Sequence, residues 1–118
     1  MKTRPLIPNA IIVDKTKELE KFQNETLRPI IKLLNDLLVV YFQNYAESKK
    51  IAIINATEEE KNKFITTTFL KDNQLKNEVK GFVIGHFSVE AYNFYKNSTK
   101  EINKRILGII RQRILSFY

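Results

Sequence analysis

Four basic residues near the C-terminus have the spacing of one helix face. Lys96, Lys100, Lys104 and Arg111 follow one another at intervals of four, four and seven residues, and residues spaced in this way share a face of a continuous helix. Such a row of cations is suited to binding a phosphate backbone. The alternative interpretation is that the four side chains only solvate an outer helix face, because no helix-turn-helix, RNA-binding or zinc-finger pattern accompanies them.

Residues suited to catalysis or metal binding are few. His86 is the only histidine, and the chain has no cysteine, which excludes disulfides, thiolate metal sites and cysteine nucleophiles. We interpret His86 as a partly buried residue that is hydrogen-bonded to a backbone or carboxylate group. Glu58, Glu59 and Glu60 are consecutive, so they point to different sides of a helix and do not form a catalytic carboxylate pair. The sequence therefore predicts no catalytic residue, no cofactor and no metal.

Arg113 falls within the apolar arc of the last predicted helix. A guanidinium group in such a position needs a carboxylate partner or reaches out to solvent, and Asp36, Glu78 and Glu90 are the candidate partners. One interpretation is that Arg113 forms the polar part of a helix-packing or dimer interface. The other is that it emerges to solvent at the last helical turn.

Composition favours a single domain made of a few long helices. The chain has 118 residues, of which 43% are hydrophobic and 28% charged, as in ordinary globular domains. Only three glycines and three prolines are present, which is too few for the many tight turns of an all-β chain. We predict an all-α fold, in which four to five helices of residues 15–118 pack around a long, kinked central helix. Residues 1–14 are predicted to form an extended arm.

Charge and hydropathy predict a soluble cytoplasmic protein. The longest apolar run has six residues, far fewer than the roughly 20 needed to cross a bilayer, so no membrane association is expected. The residues after Met1–Arg4 are interrupted by two prolines and do not form the core of a signal peptide. The net charge of +7 is compatible with a nucleic acid or an acidic protein as partner, and also with solubility alone.

The stretch with the most apolar surface at helical spacing is Leu27–Tyr45, and we expect a helix from about Lys15 to about Ser48 with this stretch at the centre of the fold. Pro29 removes one hydrogen bond of that helix, so a kink is expected there, without a change in register. The predicted inward stripe is Leu19, Phe22, Thr26, Ile30, Leu33, Leu34, Leu37, Tyr41 and Tyr45.

The later helices are predicted from their start signals. Thr57 and Glu60 form a capping box, and a second one is predicted at Ser98 and Glu101. Asp72 or Asn73, and then Ser88, are further N-cap candidates. The apolar segment 51–56 is interpreted as a loop that lies against the core.

Gly81 and Gly85 stand four residues apart in one predicted helix. Each costs roughly 1 kcal/mol of helix stability relative to alanine, so we predict that another helix backbone approaches them closely, either within the chain or in a second copy. Leu37 and Tyr41 are likewise assigned to helix packing or to an interface. Because the central segment is apolar on nearly all sides beyond residue 36, we expect self-association, with a dimer favoured.

Three stretches, 21–35, 71–95 and 100–106, resemble short all-helical bacterial proteins that often carry the product name "glyoxalase". The resemblance implies a lactoylglutathione lyase-like activity that would use His86 with Glu78 or Glu90, and Arg105 to hold an anionic substrate. This chain lacks the strand-borne His and Glu ligands of metal-dependent glyoxalase I and the histidine cluster of glyoxalase II. The residues themselves predict a non-enzymatic, self-associating interaction or structural module. Nucleic-acid-backbone binding is the alternative.

Overall fold

A computed structural model describes residues 15–118, and in this part of the chain all regular structure is helical. The prediction of an all-α fold is confirmed, with six helices in place of four to five. The predicted arm, 1–14, lies outside the described residues. The helices are α1 (15–33), α2 (Asn35–Ser48), α3 (Glu58–Lys71), α4 (Asn73–Ile84), α5 (Val89–Lys96) and α6 (Thr99–Phe117).

Most helix starts follow the predicted caps. The Thr57 hydroxyl accepts a hydrogen bond from the backbone N–H of Glu60 at 3.1 Å, and the Glu60 carboxylate accepts one from the N–H of Thr57 at 2.9 Å, which completes the capping box of α3. The Asp72 carboxylate caps α4, and the Ser88 hydroxyl caps α5. Three of the four predicted start signals are therefore confirmed.

The second capping box, at Ser98, is wrong. Ser98 precedes α6, but its side chain makes no capping hydrogen bond. The Thr99 hydroxyl instead donates back to the carbonyl groups of Tyr95 and Lys96, at 3.2 Å each. This local bond joins the end of α5 to the start of α6 and competes with a standard cap.

The C-terminal helix α6 occupies the centre of the bundle, which the sequence assigned to Leu27–Tyr45. It packs against each of the other helices. Four isoleucines at intervals of four residues form its inner face and are buried: Ile102, Ile106, Ile110 and Ile114. A helix that is contacted from several sides must be long and must carry inward side chains along its whole length, and α6 meets both conditions.

Helix α1 contains a π-helical turn, Gln23–Leu27, just before Pro29. The N–H of Arg28 donates to the carbonyl of Gln23, five residues earlier, so this turn holds one residue more than an α-helical turn. The irregularity lies where Pro29 cannot donate and where its ring would crowd the carbonyl of Glu25. The predicted irregularity is therefore present, but the predicted constancy of register is wrong.

The additional residue rotates every later side chain around the helix axis. The buried positions that follow in α1 and α2 are Leu27, Ile31, Leu34, Leu38, Val39, Phe42 and Ala46. Of the predicted inward residues, Leu33 is 72% exposed and Leu37 is 48% exposed. Leu19, Phe22 and Leu34 are buried as predicted, and Ile30, Tyr41 and Tyr45 are partly buried against the core. At Leu34, with φ −88° and ψ 5°, the chain leaves the helical conformation, so the predicted single helix is two helices, α1 and α2.

The connection between α2 and α3 lies against the core, as predicted. Ile53 is buried within a short 3₁₀ turn, Ile53–Asn55. The N–H of Ile51 donates to the carbonyl of Ala46 at 2.9 Å, which holds the start of the connection against the end of α2.

The change of register can be tested with neighbouring leucines. Leu38→Ala should lower the free energy of unfolding by about 2–5 kcal/mol, because Leu38 is 1% exposed and its truncation leaves a cavity. Leu37→Ala should change it by less than about 1 kcal/mol. Urea unfolding of both variants at low protein concentration measures the difference. A larger loss of unfolding free energy in Leu37→Ala than in Leu38→Ala would contradict this register and support the one predicted from the sequence.

Candidate functional site

One edge of α2 is fastened to α4 by two tyrosine–carboxylate hydrogen bonds. The Tyr41 hydroxyl donates to the Glu78 carboxylate, and the Tyr45 hydroxyl donates to the Asp72 carboxylate at 2.5 Å. The Tyr41 ring also meets the Phe82 ring edge-on, with 5.3 Å between centroids. Tyr41, which the sequence assigned to helix packing or an interface, therefore packs between α2 and α4 of the same chain.

These hydrogen bonds change the protonation chemistry of both partners. Burial, followed by the hydrogen bond to Asp72, raises the pKa of Tyr45 to about 12. Burial and the hydrogen bond to Glu78 raise the pKa of Tyr41 as well. The hydrogen bond from Tyr45, together with the one from the Leu75 backbone N–H, lowers the pKa of the Asp72 carboxyl. The Tyr45–Asp72 pair is therefore a neutral phenol bound to a carboxylate over a wide range of pH.

The opposite edge of α2 is fastened to α6. Arg113 Nη1 donates to Asn35 Oδ1 at 3.0 Å, and the Tyr118 hydroxyl donates to the Val39 carbonyl at 3.4 Å. None of the candidate partners Asp36, Glu78 and Glu90 forms an ion pair with Arg113 in the described part of the chain. Its partner is a neutral amide on α2, which is consistent with the interpretation that Arg113 is the polar part of a helix-packing contact. In the same way, Arg105 Nη1 donates to the amide oxygen of Gln23 at 2.6 Å.

Between these two edges, α2 and the end of α1 present an outward apolar row that consists of Leu33, Leu37 and Val40. Their exposed fractions are 72%, 48% and 64%. Leu37 and Val40, three residues apart, share one face of α2, and Leu33 is the last residue of α1, directly before the non-helical Leu34. The positions that point inward, Leu38 and Phe42, lie on the opposite side. We call these three residues the outer row; Leu37 is its only member that the sequence had assigned to an interface.

The surroundings of the outer row are balanced in charge. Residues 28–48 contain two basic residues, Arg28 and Lys32, and two acidic residues, Asp36 and Glu47. The chain as a whole carries +7. This segment therefore differs electrostatically from the rest of the molecule.

The two glycines of α4 do not meet another helix within the chain. A Cβ atom built on Gly81 would have nothing within 4 Å. One built on Gly85 would meet the carbonyl oxygens of Gly81 and Phe82 in its own helix, at 3.1 and 3.8 Å. The predicted close approach is therefore wrong within one chain, and contact with a second copy stays a prediction.

The basic row does not lie on one continuous helix. Lys96 ends α5, whereas Lys100, Lys104 and Arg111 lie on α6 after the break at Asn97 and Ser98. The three lysines are exposed, and Arg111 is half-buried. None of the four takes part in an ion pair within the described residues. The structure thus keeps Lys100 and Lys104 together, one turn apart, and separates Lys96 from them by the break.

His86 follows the end of α4 and is exposed rather than partly buried. Its Nδ1 lies 2.9 Å from the carbonyl oxygen of Phe82, which can only accept, so Nδ1 carries the proton. The predicted hydrogen bond to backbone is thus present. Within 15–118, no three His, Cys, Asp or Glu side chains are placed to hold a metal ion.

No protein-family model, curated protein or solved structure matches this chain. No helix of the described part is long and apolar enough to cross a membrane. What the site can do must therefore be inferred from its residues alone.

The Tyr45–Asp72 hydrogen bond predicts a loss of stability in acid. Because the folded state lowers the pKa of Asp72, this carboxylate stabilises the fold above its unfolded pKa of about 3.9 and ceases to do so as the pH falls through the lower folded value. In Asp72→Asn the capping oxygen is retained but the charge is lost. The difference in free energy of unfolding between the original chain and Asp72→Asn should therefore shrink between about pH 6 and pH 2.

Urea unfolding at several pH values measures this difference. Asp36→Asn is the control, because the Asp36 carboxylate is exposed and its hydrogen bond comes from the adjacent Asn35. A difference for Asp72→Asn that is constant with pH would contradict the assigned role of the pair.

Proposed function

We propose that this protein is a non-enzymatic, self-associating helical module, and that two copies meet through the outer row of Leu33, Leu37 and Val40. The observation that carries the proposal is the exposure of three aliphatic side chains close together in the chain: Leu37 and Val40 lie on one face of α2, and Leu33 lies at the adjoining end of α1. Aliphatic side chains aligned over two turns have the spacing that helix pairs use for packing.

The way α2 is held supports this role. Hydrogen bonds to α4 on one side and to α6 on the other fix the rotation of α2. The outer row therefore does not need to become ordered when a partner binds. Pre-organisation of this kind lowers the entropic cost of association. A partner therefore meets a rigid apolar surface rather than a frayed or mobile helix.

Charge favours a second copy as the partner. Two chains that each carry +7 repel one another, and the repulsion is smallest where each presents a surface with no net charge. The segment 28–48 is such a surface. A polyanion or an acidic protein would gain no electrostatic attraction at this segment and would bind better at basic residues elsewhere in the chain.

A two-fold axis close to Leu37 satisfies the geometry. In an antiparallel pairing of segments 33–40 of the two copies about this axis, the Leu33 end of one copy faces the Val40 end of the other, and Leu37 lies near its own counterpart. The row is short, so the interface is small compared with those of obligate dimers. We expect a reversible dimer that forms in roughly the micromolar range or above.

Leu37→Glu should abolish the dimer, because it places two carboxylates close together in an apolar interface. The variant should remain folded by circular dichroism, since Leu37 is half-exposed in the single chain. Sedimentation velocity over a range of protein concentrations measures the monomer–dimer equilibrium.

Leu70→Glu is the matched control, because Leu70 is an exposed leucine on α3, outside the outer row. It should dimerise like the original chain. An original chain that stays monomeric at the highest concentrations, or a Leu37→Glu variant that still dimerises, would refute the proposed interface.

Binding to a nucleic-acid backbone is a second candidate, favoured by the exposure of Lys100 and Lys104 without ion-pair partners in the described part of the chain. If it is correct, the protein should bind a random oligonucleotide at roughly 50 mM salt and lose most of that affinity at roughly 200 mM. Lys100→Glu/Lys104→Glu should abolish binding.

Lys17→Glu/Lys21→Glu is the control for this candidate, because it makes the same change in net charge with the same spacing on α1. Fluorescence anisotropy measures binding. Equal losses in both double variants would mean that only the overall charge matters.

A further inference from the structure

An open cavity of about 380 Å³ lies between α1, α2 and α6. Two arginines line it: Arg28 comes from α1 and Arg113 from α6. The remaining lining residues are amides, a serine and two apolar side chains, and no carboxylate is among them. The cavity therefore carries two positive charges and no compensating negative charge.

Both guanidinium groups have donors to spare. Arg28 Nε donates to Asn24 Oδ1 at 3.1 Å, and Arg113 Nη1 donates to Asn35 Oδ1 at 3.0 Å. Each guanidinium has five N–H donors, and no ion pair occupies the others within 15–118. The amide bonds therefore orient the two groups without neutralising them.

Two cations that share one cavity repel each other unless an anion lies between them. A guanidinium binds carboxylate and phosphate oxygens through paired N–H donors, and these charge-assisted hydrogen bonds are stronger than neutral ones. The Ser116 and Gln112 side chains also line the cavity and offer neutral donors. The arrangement is thus complementary to an oxyanion.

The cavity also has an apolar wall. Ile109 and Phe117 contribute it, and Phe117 is 58% exposed although it lies in a helix that is otherwise central to the core. The structure places Phe117 in the same cavity lining as the two arginines. An exposed aromatic ring next to unpaired guanidinium groups suits a ligand that has both an anionic group and an apolar ring.

We propose that this cavity binds a small organic oxyanion, a phosphate monoester or a carboxylate, whose charged group lies between Arg28 and Arg113 and whose apolar part rests on Ile109 and Phe117. The site is independent of the outer row. None of its three residues lines the cavity.

Phenyl phosphate, benzoate and inorganic phosphate are the probes, and titrations followed by ¹H–¹⁵N NMR measure their binding to the full chain. We expect saturable binding of phenyl phosphate or benzoate, with shifts in residues of the cavity. The probe that binds more tightly shows whether the site prefers a phosphate or a carboxylate group. Inorganic phosphate should bind roughly tenfold more weakly than the phenyl ester, because it lacks the ring.

Arg28→Gln and Arg113→Gln should each weaken binding by roughly tenfold or more. Arg28 is exposed, so its variant stays folded even if Arg113→Gln does not. Arg105→Gln is the control: Arg105 also lies on α6 and also donates to a neutral amide, but it does not line the cavity. The absence of saturable binding by any probe, or equal losses in Arg28→Gln and Arg105→Gln, would overturn the proposal. Equal affinity for inorganic phosphate and phenyl phosphate would overturn the assigned ligand class.

Discussion

Two irregularities precede the buried face of α2: the π-helical turn before Pro29 and the non-helical residue Leu34. An α-helix that continued from Phe22 without the additional residue would bury Leu37 and expose Leu38. With the turn in place, Leu38 is 1% exposed and Leu37 is 48% exposed. These departures from a continuous α-helix accompany the exposure of Leu33 and Leu37, which an uninterrupted helix was predicted to bury.

The contacts that α2 makes with the other helices are consistent with this orientation of its buried face. Helix α6 supplies the central row of isoleucines, and its Arg113 and Tyr118 reach Asn35 and Val39 on one edge of α2. Tyr45 reaches Asp72 on the other edge. These polar contacts hold α2 at its observed rotation, because they come from two different sides of the helix. The same contacts leave the outer row facing away from the chain.

Local signals in the sequence predicted much of this fold. The capping box at Thr57, the caps at Asp72 and Ser88, and the helical class follow from short-range chemistry that is visible in a few neighbouring residues. The register after Pro29 does not, because the periodicity of Leu33, Leu37 and Tyr41 is as good as that of Leu34, Leu38 and Phe42, and only packing against α6 distinguishes them. Such a choice between two apolar faces is made by tertiary contacts.

For the candidate sites too, features encoded by neighbouring residues were predicted, and features that depend on tertiary contacts were not. Lys100 and Lys104 were identified from their spacing, and the structure leaves them exposed. For Arg113 the sequence left two alternatives open, a carboxylate partner or exposure to solvent, because a cation on an apolar helix face usually needs one of them. Its bond to Asn35 depends on a contact between residues 78 positions apart, which no local pattern encodes. The cavity between Arg28 and Arg113 was missed for the same reason, and an arginine without a nearby acid in the sequence was the one available signal.

The claim that two copies meet at the outer row is tested most directly by cross-linking at Leu37. The chain has no cysteine, so Leu37→Cys provides a single thiol, and Asn62→Cys on the exposed surface of α3 provides a matched control. If a two-fold axis passes close to Leu37, mild oxidation should give a disulfide-linked dimer of Leu37→Cys much faster than of Asn62→Cys, because the two thiols come within disulfide distance. Equal and slow rates for the two variants, at a protein concentration where the original chain is dimeric, would contradict this interface.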